Sequence, residues 1–320
     1  MADNPKKLSV RDKFAVHTMR RFLNFNPEKK DRIVKKFKRL ERIGRFTLYR
    51  LRRGFERTDY NADGVPIEFY KPKGAQPKKV VLVVHGGGFI MGLINVYRNL
   101  HKAYSDAANG AAVAVVDYRT APQFTYPAAH DDVYSAYEFL LGLGYAAGDI
   151  VLVGDSAGGN LVLSLLLKLK DAGQALPAAA AVISPWTDLN ASGASYRENY
   201  NKDVVFGRKK GVFCEEKFAN FLNCGIFSYA ADADRNDPYL SPVYGAYGGM
   251  PPILITVGEH EMILDDSLTV AQKIEQAGSS VKLIVGSGMF HNYPLRYKLS
   301  PIAKSAFNEI LNFLTEHTAE

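Results

Sequence analysis

The sequence predicts an α/β protein, with a mostly parallel central sheet and helices on both of its faces. Three observations carry that reading. Short apolar runs recur at residues 80–84, 112–116, 150–153, 178–183, 253–257 and 281–285. Stretches with helical spacing alternate with them, near 97–109, 127–141, 157–172, 266–277 and 301–316. The runs are apolar throughout rather than alternating, which marks strands buried on both faces, and strands that alternate with helices pair in parallel.

Composition permits such a fold. With 320 residues, 47% of them hydrophobic, the chain can bury a large core without cross-links or metals. Cys214 and Cys224 are the only cysteines, so no disulfide framework is expected and both read as free thiols. The start is polar and basic, with no apolar run of the signal-peptide kind, and no stretch of about 18 apolar residues appears. The expectation is a cytoplasmic protein without stable membrane insertion.

Charge is unevenly spread. Residues 1–58 hold 19 Lys and Arg against 6 Asp and Glu, a net of +13 within an overall +7, so the rest of the chain is net −6. This basic segment reads as two amphipathic helices, Lys13–Phe25 and Glu28–Ile43, with Pro27 suited to the start of the second. Ala15, Met19, Phe22 and Leu23 share one face; Ile33, Val34, Phe37 and Leu40 share the other helix's face. The apolar faces are expected to lie on the body and the basic faces to be solvated. Clustered Lys and Arg would also suit an anionic surface, but no nucleic-acid partner is expected.

Residues 46–60 and 65–70 flank Asn61-Ala-Asp-Gly64, a hairpin signal, and 72–77 reads as a loop. Residues 189–236 interrupt the strand–helix alternation. They are rich in Tyr, Asn, Lys and Phe and read as a helical insertion over the C-terminal edge of the sheet, where α/β proteins bind ligands.

The strongest motif is Gly154-Asp-Ser-Ala-Gly158, which follows the apolar run 150–153 and precedes a helix. G-x-S-x-G in that context is a nucleophile elbow: small neighbours let the serine sit on a sharp turn, with its Oγ exposed above the sheet. Ser156 is the candidate nucleophile. The second motif, His85-Gly-Gly-Gly88-Phe89, follows the run 80–84. Its glycines let backbone approach a substrate oxygen. The amides of Gly86, Gly87 and Ala157 are the candidate oxyanion hole, and His85 itself reads as structural. Neither G-x-G-x-x-G nor a Walker lysine is present, which argues against a phosphate loop. In folds with this elbow the order is nucleophile, acid, histidine. His17, His85, His101 and His130 precede Ser156, His260 sits within the acid loop, and His317 lies in the last helix, expected to be solvated; His291 remains as the base. Glu259, Glu261, Asp265 and Asp266 are all candidates for the acid, and some of them are expected to cap the helix beginning near Asp265.

These motifs are joined by Asp117-Tyr-Arg-Thr-Ala-Pro122, Tyr126-Pro-Ala-Ala129, Asp131-Asp132, Ser184-Pro-Trp-Thr-Asp188, Asp237-Pro and Ser241-Pro242. In that order they resemble the hormone-sensitive-lipase-like carboxylesterases, in the branch whose elbow reads GDSAG. The resemblance runs from about residue 79 to 317. It implies an α/β-hydrolase fold with a helical cap, and ester cleavage without a cofactor. By position it places the triad acid on Glu261, where the family more often has Asp followed by Pro and this chain has Glu-Met. Asn292 stands where the family often has glycine after its histidine. The implied organisation is a cap segment at 1–55, a core at 56–188 and 237–320, and a cap insertion at 189–236. Phe14, Phe22, Phe37 and Phe213 are expected to give the cap its apolar surface.

The function expected from these residues is a serine carboxylesterase for short-acyl esters, acting through an acyl-enzyme intermediate. A deacetylase of acetylated sugars or antibiotics would use the same elbow. A non-catalytic receptor for a small ligand is the alternative of another class; plant hormone receptors that resemble this family lack the histidine, which this chain keeps as His291. No H-E-x-x-H or similar metal motif occurs, and neither metal nor cofactor is expected. The expected partner is a small-molecule ester, and a homodimer is admitted.

Overall fold

The computed structural model describes residues 8–24, 30–208, 213–223 and 225–319. Among them the strands are β1 (Phe55–Ala62), β2 (Val65–Pro72), β3 (Val80–Val84), β4 (Ala112–Val116), β5 (Ile150–Asp155), β6 (Ala179–Ile183), β7 (Ile253–Gly258) and β8 (Val281–Gly286). They form one sheet in the order β1-β2-β4-β3-β5-β6-β7-β8. Strands β3 to β8 pair in parallel, and the β1–β2 hairpin joins antiparallel to β4.

The helices are α1 (Val10–Leu23), α2 (Lys30–Phe46), α3 (Asn95–Arg98), α4 (His101–Ala107), α5 (Ala128–Gly142), α6 (Ala157–Asp171), α7 (Ser195–Glu198), α8 (Glu215–Leu222), α9 (Leu264–Gln276) and α10 (Pro301–His317). Successive strand residues point to opposite faces. Val80, Leu82 and Val84 therefore pack with α5, α6 and α9 on one side. Val81 and Val83 pack with α4 and α10 on the other. Covering both faces explains why β3 to β7 are buried along their whole length.

Four expectations need correction. β8 is not a buried strand: it is the edge of the sheet, and Leu283 and Val285 are exposed. Residues 46–54 do not belong to the hairpin. Helix α2 runs on to Phe46, and β1 begins only at Phe55; the turn itself is as expected, with Gly64 at φ 94° and its N–H donating to Asn61 Oδ1 at 2.6 Å. Asp265 and Asp266 do not cap α9, whose N-cap is Ile263 without a side-chain bond. They reach sideways instead: Asp266 Oδ2 accepts from the amides of Thr187 and Asp188 at 2.7 and 2.8 Å, and Asp265 Oδ2 from that of Ser195 at 2.8 Å. Phe14 faces solvent, because α1 turns Ala15 and Met19 inward. Phe37 is buried, and Phe213 packs edge-on against Tyr200. The Phe22 side chain, Pro27 and Cys224 lie outside the described residues; Cys214 is a free thiol.

Helices α1 and α2 fasten over the C-terminal ends of the strands. Ser9 caps α1 in a box with Asp12, and Asp12 Oδ1 also accepts from Ser300 Oγ at the start of α10. At the other end of α1, Arg20 donates to the Lys202 carbonyl, and Asn24 Nδ2 to the carbonyls of Val204 and Gly207. The basic segment is thus tied to the loop at 199–207, which runs over the site described next. No helix among the described residues is long and apolar enough to cross a membrane.

Candidate active site

Ser156 sits at the junction of β5 and α6 with φ 53° and ψ −120°. That backbone is strained for a residue with a Cβ, and the surroundings enforce it. The Ser156 amide donates to the Ile183 carbonyl at 2.8 Å, and the Trp186 amide donates to the Ser156 carbonyl at 3.1 Å. The turn brings α6 against β3 so closely that a Cβ on Gly158 would lie 2.1 Å from the Val84 oxygen. Only glycine fits there.

The glycine loop lies beside this elbow. His85 is fully buried, stacked on Tyr118 with ring centres 4.1 Å apart, and its Nδ1 is 2.9 Å from the Gly86 oxygen. It is a structural residue in this setting. The Gly86 amide differs from expectation. It donates to Asp155 Oδ1 at 2.9 Å and lies 3.0 Å from Tyr97 Oη, so it is engaged by the protein. Gly87 and Gly88, at φ 132° and 60°, line the cavity in front of Ser156. Ala157 opens α6, where amides have no intrahelical acceptor.

His291 and Glu261 come together from loops after β8 and β7. His291 Nδ1 is 2.8 Å from Glu261 Oε2. Glu261 is wholly buried, and its Oε1 accepts from Ser184 Oγ at 2.7 Å and from the Gly258 amide. Ser184 Oγ in turn accepts from the Asn292 amide at 3.1 Å, which fixes the backbone beside His291. Burial by itself would lower the His291 pKa. The hydrogen bond and charge of Glu261, with the charges of Asp203 and Asp155, outweigh it and leave the pKa raised above its ordinary value. The other acid candidates serve elsewhere: Glu259 Oε2 accepts from the Gly288 amide at 2.7 Å, and Asp265 and Asp266 hold the loop at 187–195. His317, expected in solvent, is half-buried against the Phe313 ring.

Ser156 and His291 meet in one cavity of about 300 Å³, walled by Phe37, Leu40, Met91, Ile94 and Leu295 among others. No direct hydrogen bond joins their side chains among the described residues; such contacts are often long in unliganded sites and tighten around substrate. Ser156 also lines a second, smaller space of about 20 Å³. Trp186, Tyr196, Phe206, Phe221, Ile226 and Ile263 enclose it. Phe206 also packs edge-on against the His291 ring at 5.0 Å.

A profile of the family described as the alpha/beta hydrolase fold matches residues 81–295, well over half of the chain. This chain belongs to the α/β-hydrolase family. Among the relatives of this hydrolase is an acetyl-hydrolase from Streptomyces hygroscopicus, 35% identical over 79% of this chain and 80% of that protein. An esterase from Acinetobacter venetianus is 34% identical over 75% of this chain and 76% of its own. A solved esterase of the bacterial hormone-sensitive lipase family superposes with a TM-score of 0.80 at 29% identity, covering both chains in full. The hydrolase is thus of the hormone-sensitive-lipase-like esterase branch.

Some residues of the hydrolase's site were given no role by the sequence. Ser184 stood in a motif without an assigned task, and Asp203 and Phe206 carried no motif; all three reach the site because their loops cross above the strand ends. Asp203 Oδ2 accepts from the Met262 amide at 2.8 Å, and Oδ1 from Val205 and Phe206. Asp203 thereby links the Glu261 loop to the residues facing His291. Among the described residues no three His, Cys, Asp or Glu side chains converge as a metal site.

Proposed function

We propose that this protein is a serine carboxylesterase for short-acyl esters, with Ser156 as nucleophile, His291 as general base and Glu261 as the acid that orients it. The observation that carries the reading is the buried His291–Glu261 pair, 2.8 Å apart, opening into the same cavity as a serine held on a strained elbow. Ser156 Oγ attacks the ester carbonyl while His291 Nε2 takes its proton. Glu261 accepts from Nδ1–H, which leaves Nε2 as the basic nitrogen and stabilises the imidazolium once formed. His291 then gives its proton to the leaving alcohol, and the acyl-enzyme is released by water activated in the same way.

The tetrahedral oxyanion is held by the amides of Gly87, Gly88 and Ala157. The bond from Gly86 to Asp155 supports this choice over Gly86, since an amide already engaged by a carboxylate is poorly placed to receive a second anion. Gly86 then acts as an anchor of the loop. The α6 N-terminus adds its own favourable potential at Ala157.

The two cavities divide the ester. His291 must reach the leaving oxygen as an acid, so the alcohol half lies in the larger space that His291 lines, and the acyl half in the small one. A volume of about 20 Å³ admits little more than one water-sized group. Acetyl esters are the favoured substrates on this reading. The apolar wall of the larger cavity favours an apolar alcohol over a sugar. The test is a series of p-nitrophenyl esters from acetate to decanoate, with Ser156→Ala as control. Activity that peaks at the shortest chains and vanishes in the variant is expected; a profile rising toward decanoate, or turnover in Ser156→Ala, overturns it.

A further inference from the structure

The larger cavity contains one group that ester hydrolysis alone does not need. Arg296, at the end of the short turn after His291, lines it together with Ser156 and His291. Its guanidinium makes no hydrogen bond and no ion pair among the described residues. The carboxylate acting on it through space is Asp155, whose oxygens are already taken by the Gly86 amide, Tyr97 Oη and Asn292 Nδ2. Glu41, on the neighbouring helix α2, is paired with Lys38 and Arg45. A guanidinium does not shed its proton in proteins, and burial here pulls its pKa below the ordinary value, more than the through-space pull of Tyr97 and Asp155 restores. A half-buried cation in an apolar cavity carries a desolvation cost that a bound anion would offset.

We propose that Arg296 is a specificity residue, and that the alcohol half of the natural ester carries a carboxylate which its guanidinium receives. This rests on the serine-esterase reading of the same site. One arginine balances one carboxylate, whereas a phosphate dianion would leave a net negative charge in an apolar space. The field around the cavity agrees. Helix α2 supplies Phe37, Leu40 and Ile43 to the wall, and between Ile33 and Phe46 it carries Lys35, Lys36, Lys38, Arg39, Arg42 and Arg45 against Glu41 alone. Such a wall draws anions toward the opening. The fitting substrate is a short-acyl ester of an apolar hydroxy acid.

The experiment compares the acetyl esters of 4-hydroxybenzoate, of its methyl ester and of 4-hydroxybenzamide, with wild type, Arg296→Met and Arg296→Lys. Dividing the anionic by the neutral kcat/KM, and wild type by variant, cancels intrinsic reactivity. A charge-assisted bidentate contact predicts that Arg296→Met lowers this ratio roughly 10- to 100-fold, mostly through KM. Arg296→Lys should keep part of the preference, since it keeps the charge but not the fork. The acetyl ester of 4-hydroxyphenyl phosphate separates phosphate from carboxylate recognition, and a stronger preference for it sinks the carboxylate assignment. Binding of free 4-hydroxybenzoate is followed by calorimetry, which needs no turnover. Ratios near one, or equal affinity for 4-hydroxybenzoate and 4-hydroxybenzamide in wild type, overturn the proposal. Absence of all ester cleavage alongside Arg296-dependent 4-hydroxybenzoate binding would overturn the esterase reading and leave the anion site standing.

Discussion

Asn292 Nδ2 donates to Asp155 Oδ2 at 2.6 Å, which joins the residue after the candidate base to the residue before the candidate nucleophile. Asp155 Oδ1 accepts from the Gly86 amide, so the same carboxylate also holds the glycine loop. Three loops that leave different strands therefore meet on one buried carboxylate. Burial raises the Asp155 pKa to about 6, against the opposing pull of the Gly86 bond, the His291 charge and the Tyr97 and Asn292 bonds. Asn292 takes φ 58°, a left-handed conformation that asparagine tolerates better than most residues. Asn292→Gly keeps that backbone and removes only the amide bond. Its kcat is expected to fall by about tenfold with little change in KM, consistent with loss of one charge-assisted hydrogen bond of about 1.5 kcal/mol. Unchanged kcat would show that the strap does not position the site.

For the nucleophile, Ser156→Ala is expected to lower kcat by on the order of 10⁶ while preserving the melting temperature to within a few degrees. An organophosphonate should label Ser156 alone, as read by peptide mass spectrometry. Labelling of another serine would remove Ser156 from its role.

For the acid, the pH profile is the decisive measurement. The base must be neutral to accept a proton, and Glu261, Asp203 and Asp155 hold the His291 pKa above its ordinary 6.5. The acidic limb of kcat/KM should therefore lie above pH 6.5. Glu261→Gln removes the leading raising cause and leaves the burial that lowers, so the limb should move to lower pH as kcat falls by up to about 10⁴. A limb that stays in place would exclude Glu261 as the partner.

For the neighbouring aspartates, the roles are structural. Asp266 is buried, and desolvation lifts its pKa well above the ordinary carboxylate value although two amides donate to it. Asp266→Ala leaves the Thr187 and Asp188 amides without their acceptor and should cost about 1–3 kcal/mol of stability, by urea unfolding. Loss of turnover without loss of stability would instead assign it to the chemistry.

For chain length, the small acyl space sets the limit. Phe221→Ala should open it and shift the preferred p-nitrophenyl ester from acetate toward butyrate or hexanoate. Each further buried CH₂ is worth about 0.8 kcal/mol, or roughly fourfold in kcat/KM. An unchanged preference would place the acyl group elsewhere.

Much of this molecule is written locally in the chain. The strand–helix alternation, the elbow around Ser156 and the glycine loop are legible, because each depends on the spacing or type of near neighbours; Glu261 stood out from three other carboxylates only through the family resemblance. The edge position of β8 is not: its apolar run resembles that of a buried strand, and only the sheet order places it at the end. The sideways reach of Asp265 and Asp266 was hidden for a similar reason, since a carboxylate in a first helical turn looks like a cap until its long-range partners are known. The use of the Gly86 amide by Asp155, 69 residues away, and the placement of Arg296 in the cavity without a direct ion pair among the described residues were likewise decided by tertiary structure alone. Local sequence determines what a segment can form and which chemistry it carries. Which amide stays free, and which charge stays unpaired, depends on groups brought together from distant parts of the chain, where burial makes every unmet partner costly.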